Sequence, residues 1–214
     1  MKKIAIYGAG GFGRETACIL NALNAEKPTW DFIGFFDDGL PVGQTNQYGM
    51  ILGGIGALNN YTENLAVVFS IANPVILKEV VGKIKNSFIE FPNIFAPGTI
   101  FYNKDSLSIG KGNLFFFGAR ISCDVSIGDF NLANSAISLG HDVNLGSFNI
   151  LGPLVRLSGN TFIGDENFFG VQSVALQGVK IGSKTTIGAG SIVMRNTVDG
   201  YLYFGNPAKK MMAK

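Results

Sequence analysis

The chain of 214 residues holds one histidine, His141, followed directly by Asp142. An imidazole can take a proton from a reacting group near neutral pH. A carboxylate beside it can fix the tautomer and stabilise the imidazolium that forms. One histidine and scattered acids make no ligand set, so no metal is expected. Cys123 lies eighteen residues before His141 and could be a thiol nucleophile; it reads more simply as a small residue of the surrounding repeat.

That repeat is what raises His141 above a stray surface side chain. Every sixth residue from Ile109 through Phe115, Ile121 and Ile127 onward to Val193 is apolar, and glycine follows many of them. A six-residue period held this long predicts a solenoid of short parallel strands. Three hexapeptides close one triangular coil, so residues eighteen apart stack. Gly159 then falls one coil above His141, ~4.8 Å away. A backbone N–H next to a general base is what acyl transfer requires. The same spacing stacks Asp124, Asp142 and Asn160. Neighbours on a strand point to opposite faces, so pairing His141 with Asp142 needs a bend at a coil corner.

A different pattern opens the chain. Residues 3–7 form an apolar strand, then Gly8, Gly10 and Gly13 fit G-x-G-x-x-G, with Gly11 beside them. A helix is expected from Arg14 to about Leu23, and a second strand over Asp31–Phe36 ending at Asp37 and Asp38. A third strand (Val67–Ala72) and a helix (Val75–Lys85) follow. Glycines let a backbone approach a phosphate, and a helix N-terminus presents free N–H groups to it. The unit is too short for a full dinucleotide fold, which argues against NAD and for one nucleotide carrying a sugar. Asp37 and Asp38 would contact the base or ribose; otherwise they are solvated loop acids.

The predicted fold is thus an α/β Rossmann-like half domain at residues 1–92 and a left-handed parallel β-helix at 99–198. A proline- and glycine-containing linker (93–98) joins them, and a tail covers 199–214. The formal charge of +2 gives no reason to expect nucleic acid. No apolar run is long enough to span a bilayer, and the first strand does not read as a signal peptide. Cys18 and Cys123 read as buried, reduced thiols of a cytoplasmic protein.

Gly140-His141-Asp142 within hexapeptides, GAGGFGRE (8–15), GFFDDG (34–39), Ile71-Ala72-Asn73-Pro74 and Gly205-Asn206-Pro207-Ala208-Lys209 resemble the sialic-acid-O-acetyltransferase-like family of sugar acetyltransferases. This family includes bacterial N-acetyltransferases for nucleotide-linked 4-amino-4,6-dideoxy sugars. The resemblance spans nearly the whole chain. It implies a homotrimer with active sites between neighbouring β-helices, acetyl-CoA in that groove as cosubstrate, and the nucleotide sugar on the first domain. It also implies His141 as the base with Asp142 beside it, Asn134 as a substrate contact, Gly159 facing the thioester, and Val171 and Ala189 along the pantetheine. Two positions depart from the family: Ile150 and Ala96 stand where many relatives carry histidines. The expected activity is acetyl-CoA-dependent N-acetylation of such a sugar for surface polysaccharide or glycan synthesis. O-acetylation of a sialic-acid-type sugar, and a nucleotide-sugar-binding scaffold without turnover, remain as alternatives.

Overall fold

The computed structural model describes residues 1–213. The first unit is a six-stranded sheet in the order β3-β4-β2-β1-β5-β6. Its core strands are β1 (Lys2–Tyr7), β2 (Trp30–Phe36), β4 (Gly49–Gly53) and β5 (Leu65–Phe69), all parallel. Two short strands, β3 (Thr45–Asn46) and β6 (Ile89–Glu90), close the edges. Helices α1 (Gly11–Glu26), α2 (Ile55–Asn59) and α3 (Pro74–Gly82) complete it. The third strand stops at Phe69, short of the expected Ala72. Asn73 caps α3, its Oδ1 accepting the N–H groups of Val75 and Ile76, and Pro74 starts the first turn, where a missing N–H costs nothing. The β3–β4 hairpin and α2 have no counterpart in the sequence reading.

The second unit is a triangular prism of two-residue strands. Its first face stacks strands at 94–95, 114–115, 132–133, 150–151, 168–169 and 186–187. The second face stacks 100–101, 120–121, 138–139, 156–157, 174–175 and 192–193; the third runs from 108–109 to 180–181. Register is eighteen throughout the regular coils, as in Ile127↔Leu145↔Ile163↔Ile181. The six-residue apolar row lines the interior: Phe115, Ile121, Leu139, Leu151 and Ile187 are all buried.

Two boundaries differ from expectation. The segment 93–98, expected as a linker, already carries the strand Ile94–Phe95, paired with Leu114–Phe115. Proline and glycine fall in its turns, leaving two residues free to pair. At the other end Tyr201–Phe204 adds a parallel strand beside Thr186–Ile187 and pairs antiparallel with Lys209–Ala213. That hairpin covers a sheet end that would otherwise expose unpaired backbone.

A second interior row, two residues before the first, contains polar groups. Asn113, Asn131, Asn149 and Asn167 form a buried ladder at one corner. Asn131 donates both its backbone N–H and Nδ2 to Asn113 Oδ1, and Asn149 does the same to Asn131. The ladder begins at Asn93 and ends on the Thr185 N–H; its side-chain amides are paired coil by coil as far as Asn149, whereas Asn167 Nδ2 is buried without a partner.

The Rossmann-like unit docks on the first face. Phe12, at the start of α1, meets Phe116 edge-on at 5.6 Å, and Phe69, Phe91, Phe130 and Phe148 form a continuous aromatic contact. Lys78 on α3 pairs with Glu166 at 2.5 Å. Ile150 and Ala96 are both buried in this junction. The three consecutive phenylalanines divide their work: Phe115 faces the prism interior, Phe116 the domain junction, and Phe117 is exposed. The thiols differ from expectation as well. Cys18 is exposed, because α1 turns Thr16, Ala17, Ile19 and Leu20 inward; Cys123 is half-buried at a corner. Among the described residues no helix is long and apolar enough to cross a membrane.

Candidate active site

The prism has three corners per coil, and each is built alike. Every sixth residue from Gly112 to Gly190 adopts a left-handed φ, including Phe130, Ala136, Asp142 and Leu154. Such a residue costs roughly 1–2 kcal/mol unless it is glycine, so the coils hold it by stacking rather than by local preference.

At Asp142, with φ +57°, the chain folds back, which supplies the bend the dyad needed. His141 Nδ1 lies 2.8 Å from Asp142 Oδ2. An ionised carboxylate only accepts, so Nδ1 carries the proton and Nε2 is left with its lone pair free. His141 is about half exposed, with 52% of its side-chain surface accessible, so a substrate can reach it.

Gly159 sits directly above. A Cβ there would overlap the imidazole at Nε2, so only glycine fits over this ring. The Gly159 N–H donates to no described group of the chain, although the residue is buried. A buried, unpaired backbone N–H is rare and calls for an acceptor. Gly140 keeps it uncovered: a Cβ at 140 would lie 2.5 Å from Gly159 N.

The corners differ in how their backbone N–H groups are satisfied. At the third corner each equivalent N–H is capped by a side chain: Lys111 by Asp129, Asp129 by Ser147, Ser147 by Asp165, Asp165 by Ser183, Ser183 by Asp199. Among the described residues no such cap reaches Val171 or Ala189 at the first corner, or His141 and Gly159 at the second. These bare donors suit the amide carbonyls of an extended pantetheine chain.

One chain does not bring all the expected site residues together. Asn134, Val171 and Ala189 belong to the first corner, His141, Asp142 and Gly159 to the second, with the Ser138–Leu139 strand between them. Asn134 Oδ1 accepts from the Ser135 N–H, and both Val171 and Ala189 are exposed.

In the Rossmann-like unit the β1, β2 and β5 loops converge at the carboxyl end of the sheet, where α/β proteins bind ligands. Its glycines separate into two kinds. Gly13 is packed so closely that a Cβ would overlap the Gly8 carbonyl oxygen, whereas Gly10 and Gly11 meet nothing within 4 Å. Gly13 therefore seats helix on strand; Gly10 and Gly11 form the open surface a phosphate would approach. Gly10→Asp should weaken nucleotide-sugar binding with little change in melting temperature, while Gly13→Asp should lose the folded domain. Calorimetric titration beside thermal unfolding checks both, and a Gly10→Asp protein of undiminished affinity would make the loop a mere connector.

The acids expected to meet the nucleotide are engaged by their own chain. Asp37 accepts from the N–H groups of Ala9 and Gly39, which pins the glycine loop. Asp38 accepts from Ile55 N–H and, at 2.5 Å, from the Tyr7 hydroxyl. Burial, reinforced by that hydrogen bond, holds the Tyr7 phenol well above its usual range. The sequence reading missed Tyr7 because the strand pattern marks it only as apolar core.

Comparison with known proteins agrees with this layout. The PglD N-terminal domain family matches residues 3–84. No curated protein matches the chain by sequence. The acetyltransferase domain of PglB from Neisseria gonorrhoeae FA1090, in complex with acetyl coenzyme A, is 28% identical over 98% of this chain and 99% of its own, with a TM-score of 0.88. PerB from Caulobacter crescentus, in complex with CoA and GDP-perosamine, is 26% identical over 99% and 98%, with a TM-score of 0.86. WeeI from Acinetobacter baumannii AYE is 26% identical over 99% and 100%, with a TM-score of 0.87. Residues 3–84 thus match the PglD N-terminal domain family, and the whole chain is similar in fold to the acetyltransferase domain of PglB and to PerB.

Proposed function

We propose that this protein transfers an acetyl group from acetyl-CoA to the amino group of a nucleotide-linked 4-amino-4,6-dideoxy sugar. The observation that carries it is the free Nε2 of His141 under a buried, unpartnered Gly159 N–H, with Asp142 on Nδ1. The acyl group comes from acetyl-CoA; the rest is supplied by the chain. His141 Nε2 takes the proton of the amine as its nitrogen bonds to the thioester carbonyl carbon; the C–S bond then breaks, and the imidazolium returns the proton to the departing CoA thiolate. Asp142 holds the ring in that tautomer and stabilises the imidazolium. The Gly159 N–H points at the oxygen on which charge develops. No covalent link to the enzyme is needed, which leaves Cys123 a structural residue. The relatives' ligands, acetyl-CoA on PglB and CoA with GDP-perosamine on PerB, support the donor and acceptor classes.

The assembly follows from the corners. A complete site needs His141 and Gly159 at a second corner facing Asn134, Val171 and Ala189 at a first corner, and these lie apart on one chain. A cyclic trimer supplies that meeting at each of its seams. The first corner also adjoins the glycine loop through the Phe12–Phe116 contact, so nucleotide and sugar enter from the chain that provides Asn134.

The test is thiol release from acetyl-CoA against UDP-, dTDP- and GDP-linked 4-amino-4,6-dideoxy sugars, with free sialic acid as the comparison. Release with one amino sugar is expected and names its nucleotide. Release with sialic acid alone would move the protein to O-acetylation, and silence without acetyl-CoA binding would make it a scaffold.

A further inference from the structure

The second face of the prism carries an arrangement that catalysis does not use. Its outward residues are Ile100, Arg120, Ser138, Arg156, Val174 and Ile192. The register Arg120↔Ser138↔Arg156 sets the two arginines two coils apart, roughly 10 Å along the axis. Both are exposed and line one shallow depression with Ser138 and Leu154. Among the described residues neither makes an ion pair. Of the flanking corners, the first holds no acid beside them, and the second holds Asp124 and Asp142, the latter already bonded to His141.

This face has a definite place in the proposed trimer, on which the inference rests. Where first corners meet second corners around a ring, the face between those corners turns to the three-fold axis. Each chain then directs Arg120 and Arg156 at the axis, between a ring of Ile100 on one side and rings of Val174 and Ile192 on the other. Guanidinium groups crowded between apolar rings repel one another and lose hydration unless a counter-ion joins them. Arginine offers a planar fork of donors that matches oxyanions, and a tetrahedral oxyanion can share the three-fold symmetry.

We propose that the trimer binds a phosphate-class oxyanion on its axis, held by Arg120 and Arg156 of all three chains, and that this anion strengthens the assembly. Ligand binding only to the assembled state raises its stability by mass action. The probe is inorganic phosphate, titrated by calorimetry into the 214-residue chain with coenzyme A and a mixture of UDP, dTDP and GDP saturating, so that the cofactor's phosphate sites and the glycine loop are occupied. The expected stoichiometry is one phosphate per three chains. The melting temperature should rise by several degrees over chloride at matched ionic strength. Arg156→Gln and Arg120→Gln should each abolish the uptake, while Lys27→Gln, which removes an exposed charge at the end of α1, leaves it unchanged. Light scattering run in parallel separates the two levels of the argument. A monomer would remove the trimer itself. A trimer that takes up no phosphate would overturn the anion site alone. Uptake unaffected in both arginine variants, or at one phosphate per chain, would equally overturn it.

Discussion

His141→Ala should lower kcat by about 10²–10⁴-fold, the usual contribution of a positioned general base. The KM for the nucleotide sugar should change little, because in the proposed site the nucleotide lies on the glycine loop of the first domain rather than on the imidazole. Stability should also be retained. The coil is anchored by Leu139 and Val143, both buried, while His141 projects outward and is half exposed. The readout is steady-state thiol release beside thermal unfolding and light scattering. Turnover equal to that of the native enzyme would end the base assignment, whatever the acceptor.

Gly159→Ala should be nearly as damaging, through one methyl group. The new Cβ would sit where the His141 Nε2 edge lies, so the ring must swing away from the acceptor amine and from its bond with Asp142. The N–H itself survives, so the loss comes from displaced geometry. A fall in kcat of about 10²–10³-fold is expected, comparable to removing one oxyanion donor. The double variant Gly159→Ala/His141→Ala separates this from general damage. If the methyl acts through the imidazole, the double variant should be no slower than His141→Ala alone, since residues acting as a unit are not additive. Losses that multiply would show that Gly159 acts independently of His141.

Much of the prism was legible because its period is unusually strict. The row from Ile109 to Val193 marks the interior, and eighteen-residue stacking places Gly159 over His141, as the fold has it. A second signal was present and went unread. The residues three after each interior position, such as Asp124, Phe130, Ala136, Asp142 and Leu154, include no β-branched side chain up to Gly190, because all must adopt a left-handed φ. The asparagine ladder was likewise visible as Asn113, Asn131, Asn149 and Asn167, spaced by eighteen. The edges of the pattern were harder. Ile94–Phe95 was hidden by the prolines on either side of it, Pro92 ahead of the strand and Pro97 in the turn after it, and the β3–β4 hairpin is too short to show a period.

The sequence by itself determined the two architectures and the stacking of Gly159 over His141, since periodicity and residue type are local properties repeated along the chain. Tertiary structure decided what each of these residues faces. The left-handed turn at Asp142 makes the dyad, because φ at one corner outweighs strand alternation. Packing showed that Gly13 is structural while Gly10 and Gly11 are open, a distinction no G-x-G-x-x-G pattern contains. Asp37 and Asp38 became loop and helix anchors because the N–H groups of Ala9 and Ile55 arrive from elsewhere in the fold. Only the three-dimensional prism separated Asn134 from His141 by a full face, because seven residues of chain carry the path around to the next corner.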